Sequence, residues 1–78
     1  MNPIKELMQR KELAAKEVSY LTGLTRGQLS NCYNGLGAIP QKLILFLDKI
    51  GEDTEEIQKK YQEYREQKKK ALLKKVGA

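Results

Sequence analysis

Helix start and stop signals recur along this chain roughly every ten residues and leave no room for a strand. Asn2 before Pro3 is a helix cap with proline at the first helical position. Gly23 suits the left-handed conformation at a helix C-terminus, and Thr25-x-x-Gln28 restarts the chain as a capping box. Asn34, Gly35 and Gly37 make a loop, Pro40 opens another helix, and Gly51 closes it. Asp53 with Glu56 is a further start. Nowhere do apolar and polar residues alternate over five or more positions with β-branched enrichment. These signals predict an all-α chain of four short helices followed by a long one.

Apolar residues fall at helical spacing between the signals. Ile4, Leu7 and Met8 mark a first helix to about Lys11, and Leu13, Ala14, Val18 and Leu21 a second ending near Gly23. Leu29, Cys32 and Tyr33 give the third its buried side, and Leu43, Ile44, Leu47 and Ile50 stripe the fourth. A fifth helix runs from about Asp53 to Lys75, with Ile57, Tyr61, Tyr64, Ala71 and Leu72 as its apolar positions. Lys68 falls at the seam among them, so the stripe is too broken for a strong coiled coil. That helix needs something to lie against: the body, a second copy or another protein. Tyr61 and Tyr64 share one face and are expected to pack. The aliphatics Leu36 and Ile39 either close the small core beneath the fourth helix, the favoured reading, or meet a protein partner. The chain divides into a body, residues 1–51, and a basic C-terminal helix, residues 52–78.

Seventy-eight residues make one domain with a small core and little room for a deep substrate cavity. The longest unbroken apolar run, Leu43 to Leu47, is far short of a membrane span, and no secretory segment opens the chain, so a cytoplasmic location is expected. A lone cysteine, Cys32, permits no internal disulfide and reads as a core residue. No histidine is present, which removes the commonest acid–base and metal-binding side chain. An enzyme, a metal site or a bound cofactor is therefore not expected.

Charge is uneven. The net +5 is the sum of +3 over residues 1–51, −4 over 52–56 and +6 over 57–78. The acidic stretch suits a helix start and the lysines a helix end. The basic tail either binds anions or stays solvated.

The stretch from Val18 to Gly35 carries the functional signal. Two helices joined by a three-residue turn containing Gly23 are held at a steep angle, which presents the second one outward from the body. Its N-terminus favours phosphate. Arg26, Gln28, Ser30, Asn31 and Asn34 on it can all hydrogen-bond, and Arg pairs with guanine as Asn or Gln pairs with adenine.

Val18-Ser19-x-x-Thr22-Gly23-Leu24-Thr25-Arg26-x-x-Leu29-Ser30-x-x-x-Asn34-Gly35 resembles the helix-turn-helix of the phage repressor and Cro family. The resemblance spans roughly residues 3–51. It implies a transcriptional regulator of a phage or mobile element that binds double-stranded operator DNA, commonly as a homodimer on inverted half-sites. It further implies that Thr25 caps the recognition helix and that Arg26, Gly27, Gln28 and Asn31 face bases, with Ser30 beside them. Thr25, Asn34 and Gly35 would lie against the DNA backbone, with Lys42 as a supporting cation. The pattern is not followed throughout. Ala14-Ala15 stands where such proteins often place a phosphate-binding Gln or Asn, and the loop Leu36-Gly37-Ala38-Ile39 carries no charge. Those departures keep a rival open: a protein-interaction module on the same fold, such as an antirepressor or a partner of another regulatory protein. Non-specific nucleic-acid binding through the tail lysines alone is a third reading.

Overall fold

The structure is a computed structural model, which describes residues 2–77. It has five helices: α1 (Pro3–Arg10), α2 (Ala15–Thr22), α3 (Arg26–Tyr33), α4 (Gln41–Lys49) and α5 (Thr54–Lys75). No strand forms among the described residues, and no helix there is long and apolar enough to cross a membrane. The all-helical expectation holds, with four short helices preceding a long one.

Local chemistry accounts for the helix ends. Asn2 Oδ1 accepts from the Ile4 and Lys5 amides at 2.9 and 3.4 Å, starting α1. Thr25 Oγ1 accepts from Gln28 N–H at 3.1 Å, while Gln28 Oε1 accepts from Thr25 N–H at 2.9 Å, which is the reciprocal box predicted for α3. Asp53 Oδ1 takes the Glu56 amide at 3.1 Å to start α5, and the Glu56 carboxylate turns instead to Lys60, 3.5 Å away. Between α1 and α2, Glu12 occupies a left-handed conformation, φ 56°, that usually falls to glycine.

Every helix contributes to one core. Ile4, Leu7 and Met8 of α1 meet Val18, Leu24, Leu29, Cys32, Leu43, Leu47 and Tyr61. Truncating a buried Leu or Ile of this kind costs about 2–5 kcal/mol. Cys32 is buried, as expected. The presence of Tyr61 in this cluster answers what α5 lies against: its first half packs along α1 and α4. The two aliphatics of the α3–α4 loop separate, Ile39 packing on the core and Leu36 remaining 62% exposed. Leu21, counted among the apolar positions of the second helix, points outward and is 55% exposed, because Val18 and Leu24 already fill that side.

Candidate nucleic-acid interface

The turn between α2 and α3 is braced by side chains on both sides. Gly23 ends α2 at φ 78°, where a side chain would be strained. Thr22 Oγ1 donates to the Val18 carbonyl at 2.7 Å and accepts from Leu24 N–H at 3.2 Å, and the Ser19 hydroxyl donates to the Leu24 carbonyl. Leu24, buried, nails the turn to the core.

The far end of α3 is fastened more heavily. The last carbonyls of a helix lack intrahelical donors. Here Asn2 Nδ2 donates to the Cys32 and Tyr33 carbonyls at 2.9 and 2.7 Å. The Tyr61 hydroxyl lies 3.1 Å from the same Cys32 carbonyl and 2.6 Å from that of Gly37. Lys68 Nζ donates to the Asn34 carbonyl, adding a cation at the negative end of the helix dipole. One residue from the chain start and two from α5 thus clamp the C-terminus of α3. Its N-terminus stays open: the box occupies the Thr25 and Gln28 amides and leaves those of Arg26 and Gly27 available among the described residues.

With Leu29 and Cys32 turned inward, helical spacing puts Gly27, Ser30, Asn31 and Asn34 on the opposite face, flanked by Arg26 and Gln28. All six are exposed, and so is the cap Thr25. Asn34 Nδ2 donates to Ser30 Oγ at 3.3 Å, tying two of them together. Gln28 spends its oxygen on the cap, so only its NH2 group is left to donate outward. A Cβ added at Gly27 would approach nothing nearer than Thr25 Oγ1, at 3.8 Å, so packing does not require glycine there.

Two of the expected contact residues stand apart from this face. Gly35 is half-buried under the Tyr64 ring, where a Cβ would fall 2.6 Å from Tyr64 Cε2. Lys42, exposed on the first turn of α4, extends its ammonium to the α2–α3 turn, 3.8 Å from where a Cβ on Gly23 would sit.

Two cations escaped the sequence reading. A groove of about 590 Å³ runs between the starts of α1 and α2 and the side of α3, and Lys5 and Lys16 line it with Arg26, Ser30 and Asn34. Lys16 begins where Ala14-Ala15 had suggested a missing anion contact, but nothing local in the sequence brings Lys5 to it. The Tyr33 ring also borders this groove; its hydroxyl is buried without a hydrogen-bond partner among the described residues. Burial, with a smaller part from neighbouring Cys32, raises the pKa of that phenol. Among the described residues no three His, Cys, Asp or Glu side chains gather into a metal site.

The site therefore offers hydrogen-bond donors, an open helix N-terminus and three cations, Lys5, Lys16 and Arg26, in one region. No protein-family model, curated protein or solved structure matches this chain.

Proposed function

We propose that this chain is a sequence-specific double-stranded DNA-binding protein: a Cro-like transcriptional regulator or repressor of a phage or mobile element. In this reading it works in the cytoplasm as a homodimer, and bound protein occludes a promoter. There is no chemical step and no cofactor. The observation that carries the reading is the presentation of α3, fixed at one end by Asn2, Tyr61 and Lys68 and open at the other with an exposed hydrogen-bonding face. A rigid, outward-facing helix of this width suits the major groove.

Residue roles follow from the bonds already spent. Asn31 makes no side-chain hydrogen bond among the described residues, which leaves its amide able to pair with adenine through both atoms. Arg26 reaches guanine or an adjacent phosphate. Gln28 serves as a donor only, and Gly27 lets the helix approach closely. Ser30 and Asn34 meet the groove edge, Lys5 and Lys16 add phosphate contacts to those of Thr25, and Lys42 supports the turn. A dimer sets two such helices about 34 Å apart.

Fluorescence anisotropy tests this at about 150 mM salt, where non-specific phosphate attraction is weakened. The probes are a duplex from the region upstream of the chain's own gene and a scrambled duplex of equal composition. The reading predicts a preference of at least about a hundredfold, within the usual specificity range. Arg26→Ala and Asn31→Ala each cost about 1–3 kcal/mol, confined to the matching sequence. Equal, weak binding to both duplexes that is indifferent to Arg26→Ala overturns it.

A further inference from the structure

Beyond its turn at Lys68, α5 runs on past the end of α3 with an apolar face that no other part of the described residues covers. Leu72, Leu73 and Val76 are 48%, 46% and 76% exposed, and Leu36 of the α3–α4 loop stands beside them. Together they floor a groove of about 540 Å³ between α5 and the Gly35–Leu36 turn. Its rim carries Arg65, Lys68 and Lys69 against a single acid, Glu66. Further lysines, Lys70, Lys74 and Lys75, lie on the same turns of helix.

We infer that this groove docks an acidic amphipathic helix of another protein, with aliphatic side chains on the groove floor and carboxylates against the basic rim. Aliphatic anchors inside a charged rim are the usual anatomy of helix-in-groove recognition. Charge selects the partner. DNA would meet the lysines but has no use for four clustered aliphatics. A second copy fails for a geometric reason. In a two-fold pair the same patch faces itself, so burying Leu72 and Leu73 on their counterparts brings the cationic rim of one copy, Arg65, Lys68 and Lys69, beside that of the other. Sliding the pair antiparallel until Glu55 and Glu56 face Lys75 and Lys74 sets Leu72 opposite Gln58 and Leu73 opposite Ile57, whose side chain already packs on the core. A second copy can match charge or bury the patch, but not both. A concave floor walled by Leu36 also suits a ridge of side chains better than a flat lipid surface.

The test uses the full chain and a fluorescein-labelled synthetic helix of roughly five turns, with Leu at i, i+3, i+4 and i+7 and Glu on the other face. Anisotropy at about 150 mM salt reads binding. The expected result is saturable binding that Leu72→Ser/Leu73→Ser weakens at least about tenfold and Lys69→Glu also weakens, with circular dichroism unchanged because these side chains are exposed. Equal binding by a peptide of the same composition with leucines on all faces, or no loss in the serine variant, overturns the inference as simple charge attraction. Two further outcomes would overturn it in favour of another occupant. One is a dimer in sedimentation velocity that the serine variant abolishes. The other is stronger, Leu72/Leu73-dependent co-sedimentation with vesicles of phosphatidylglycerol and phosphatidylcholine. No DNA enters these assays, so their failure is separate from failure of the DNA reading.

Discussion

Asn2 performs two jobs that a substitution can separate. Its side-chain oxygen caps α1 through Ile4 and Lys5, and its NH2 group holds the Cys32 and Tyr33 carbonyls at the end of α3. Asn2→Ala removes both. A lost cap costs about 1 kcal/mol, and an orphaned buried acceptor about 1–3 kcal/mol. The Cys32 carbonyl keeps Tyr61 and the Gly35 amide, so the second cost falls mainly on the part-buried Tyr33 carbonyl, toward the lower end of that range. The sum, in the lower half of about 2–4 kcal/mol, is large for a 78-residue chain whose total stability is roughly 4–12 kcal/mol. It corresponds to a fall in Tm in the lower half of roughly 8–30 °C. Asn2→Asp keeps the cap and adds a charge favourable to the α1 dipole. It also replaces two donated bonds by a carboxylate against two carbonyl oxygens. The account predicts that Asn2→Asp at neutral pH is at least as destabilising as Asn2→Ala in thermal and urea unfolding followed by circular dichroism. Its stability recovers as pH falls and the carboxyl protonates, because that proton restores a donor. An Asn2→Asp variant as stable as the parent at neutral pH would refute the reasoning and reduce Asn2 to a helix cap.

Three further outcomes follow from the same contacts. Gly35→Ala meets both a φ of 70° and the Tyr64 ring, and it lowers stability by at least about 1–2 kcal/mol. Adding Tyr64→Ala recovers the ring-clash part, and a double-mutant cycle showing no coupling contradicts the contact. Gly27→Ala raises stability by about 0.5–1 kcal/mol, since alanine fits and is the better helix former, yet weakens operator binding; unchanged binding removes Gly27 from the interface. Burial raises the Cys32, Tyr33 and Tyr61 pKa values, so the folded chain holds protons that the unfolded chain releases as pH climbs past 9.0 and 10.0. Stability is therefore complete below about pH 9 and declines above it. The urea midpoint, measured up to about pH 11, shows the decline, and Tyr61→Phe flattens it; an undiminished slope in Tyr61→Phe contradicts the assignment.

Helix boundaries were legible because their causes are local. A cap such as Asn2, Thr25 or Asp53 acts within three residues, and Gly23 acts on its own φ. The exposed face of α3 was legible for the same reason, once Leu29 and Cys32 set its inner side. What escaped depends on pairs far apart in sequence. Asn2 reaches Cys32 across 30 positions, and Tyr61 reaches it across 29. The periodicity of α5 places Tyr61 on its inner face but does not name the partner. The same gap hid Lys5 and Lys16 beside Arg26, and left Leu36 and Ile39 undivided. It also changes an obvious experiment. Cutting the chain after Gly51 to remove the lysines takes Tyr61 out of the core and the second clamp off α3. Substituting Lys69, Lys70, Lys74 and Lys75 tests the tail without that damage.

On the function proposed above, the exposed face of α3 distinguishes one DNA sequence from another. Selection from a random duplex library at about 150 mM salt tests it without any assumption about the operator. The account predicts enrichment of one short half-site repeated in inverted orientation about one helical turn apart, with altered base preference when Asn31→Ala is selected in parallel. A library that emerges unenriched, or enriches identically for the parent and Asn31→Ala, would contradict it.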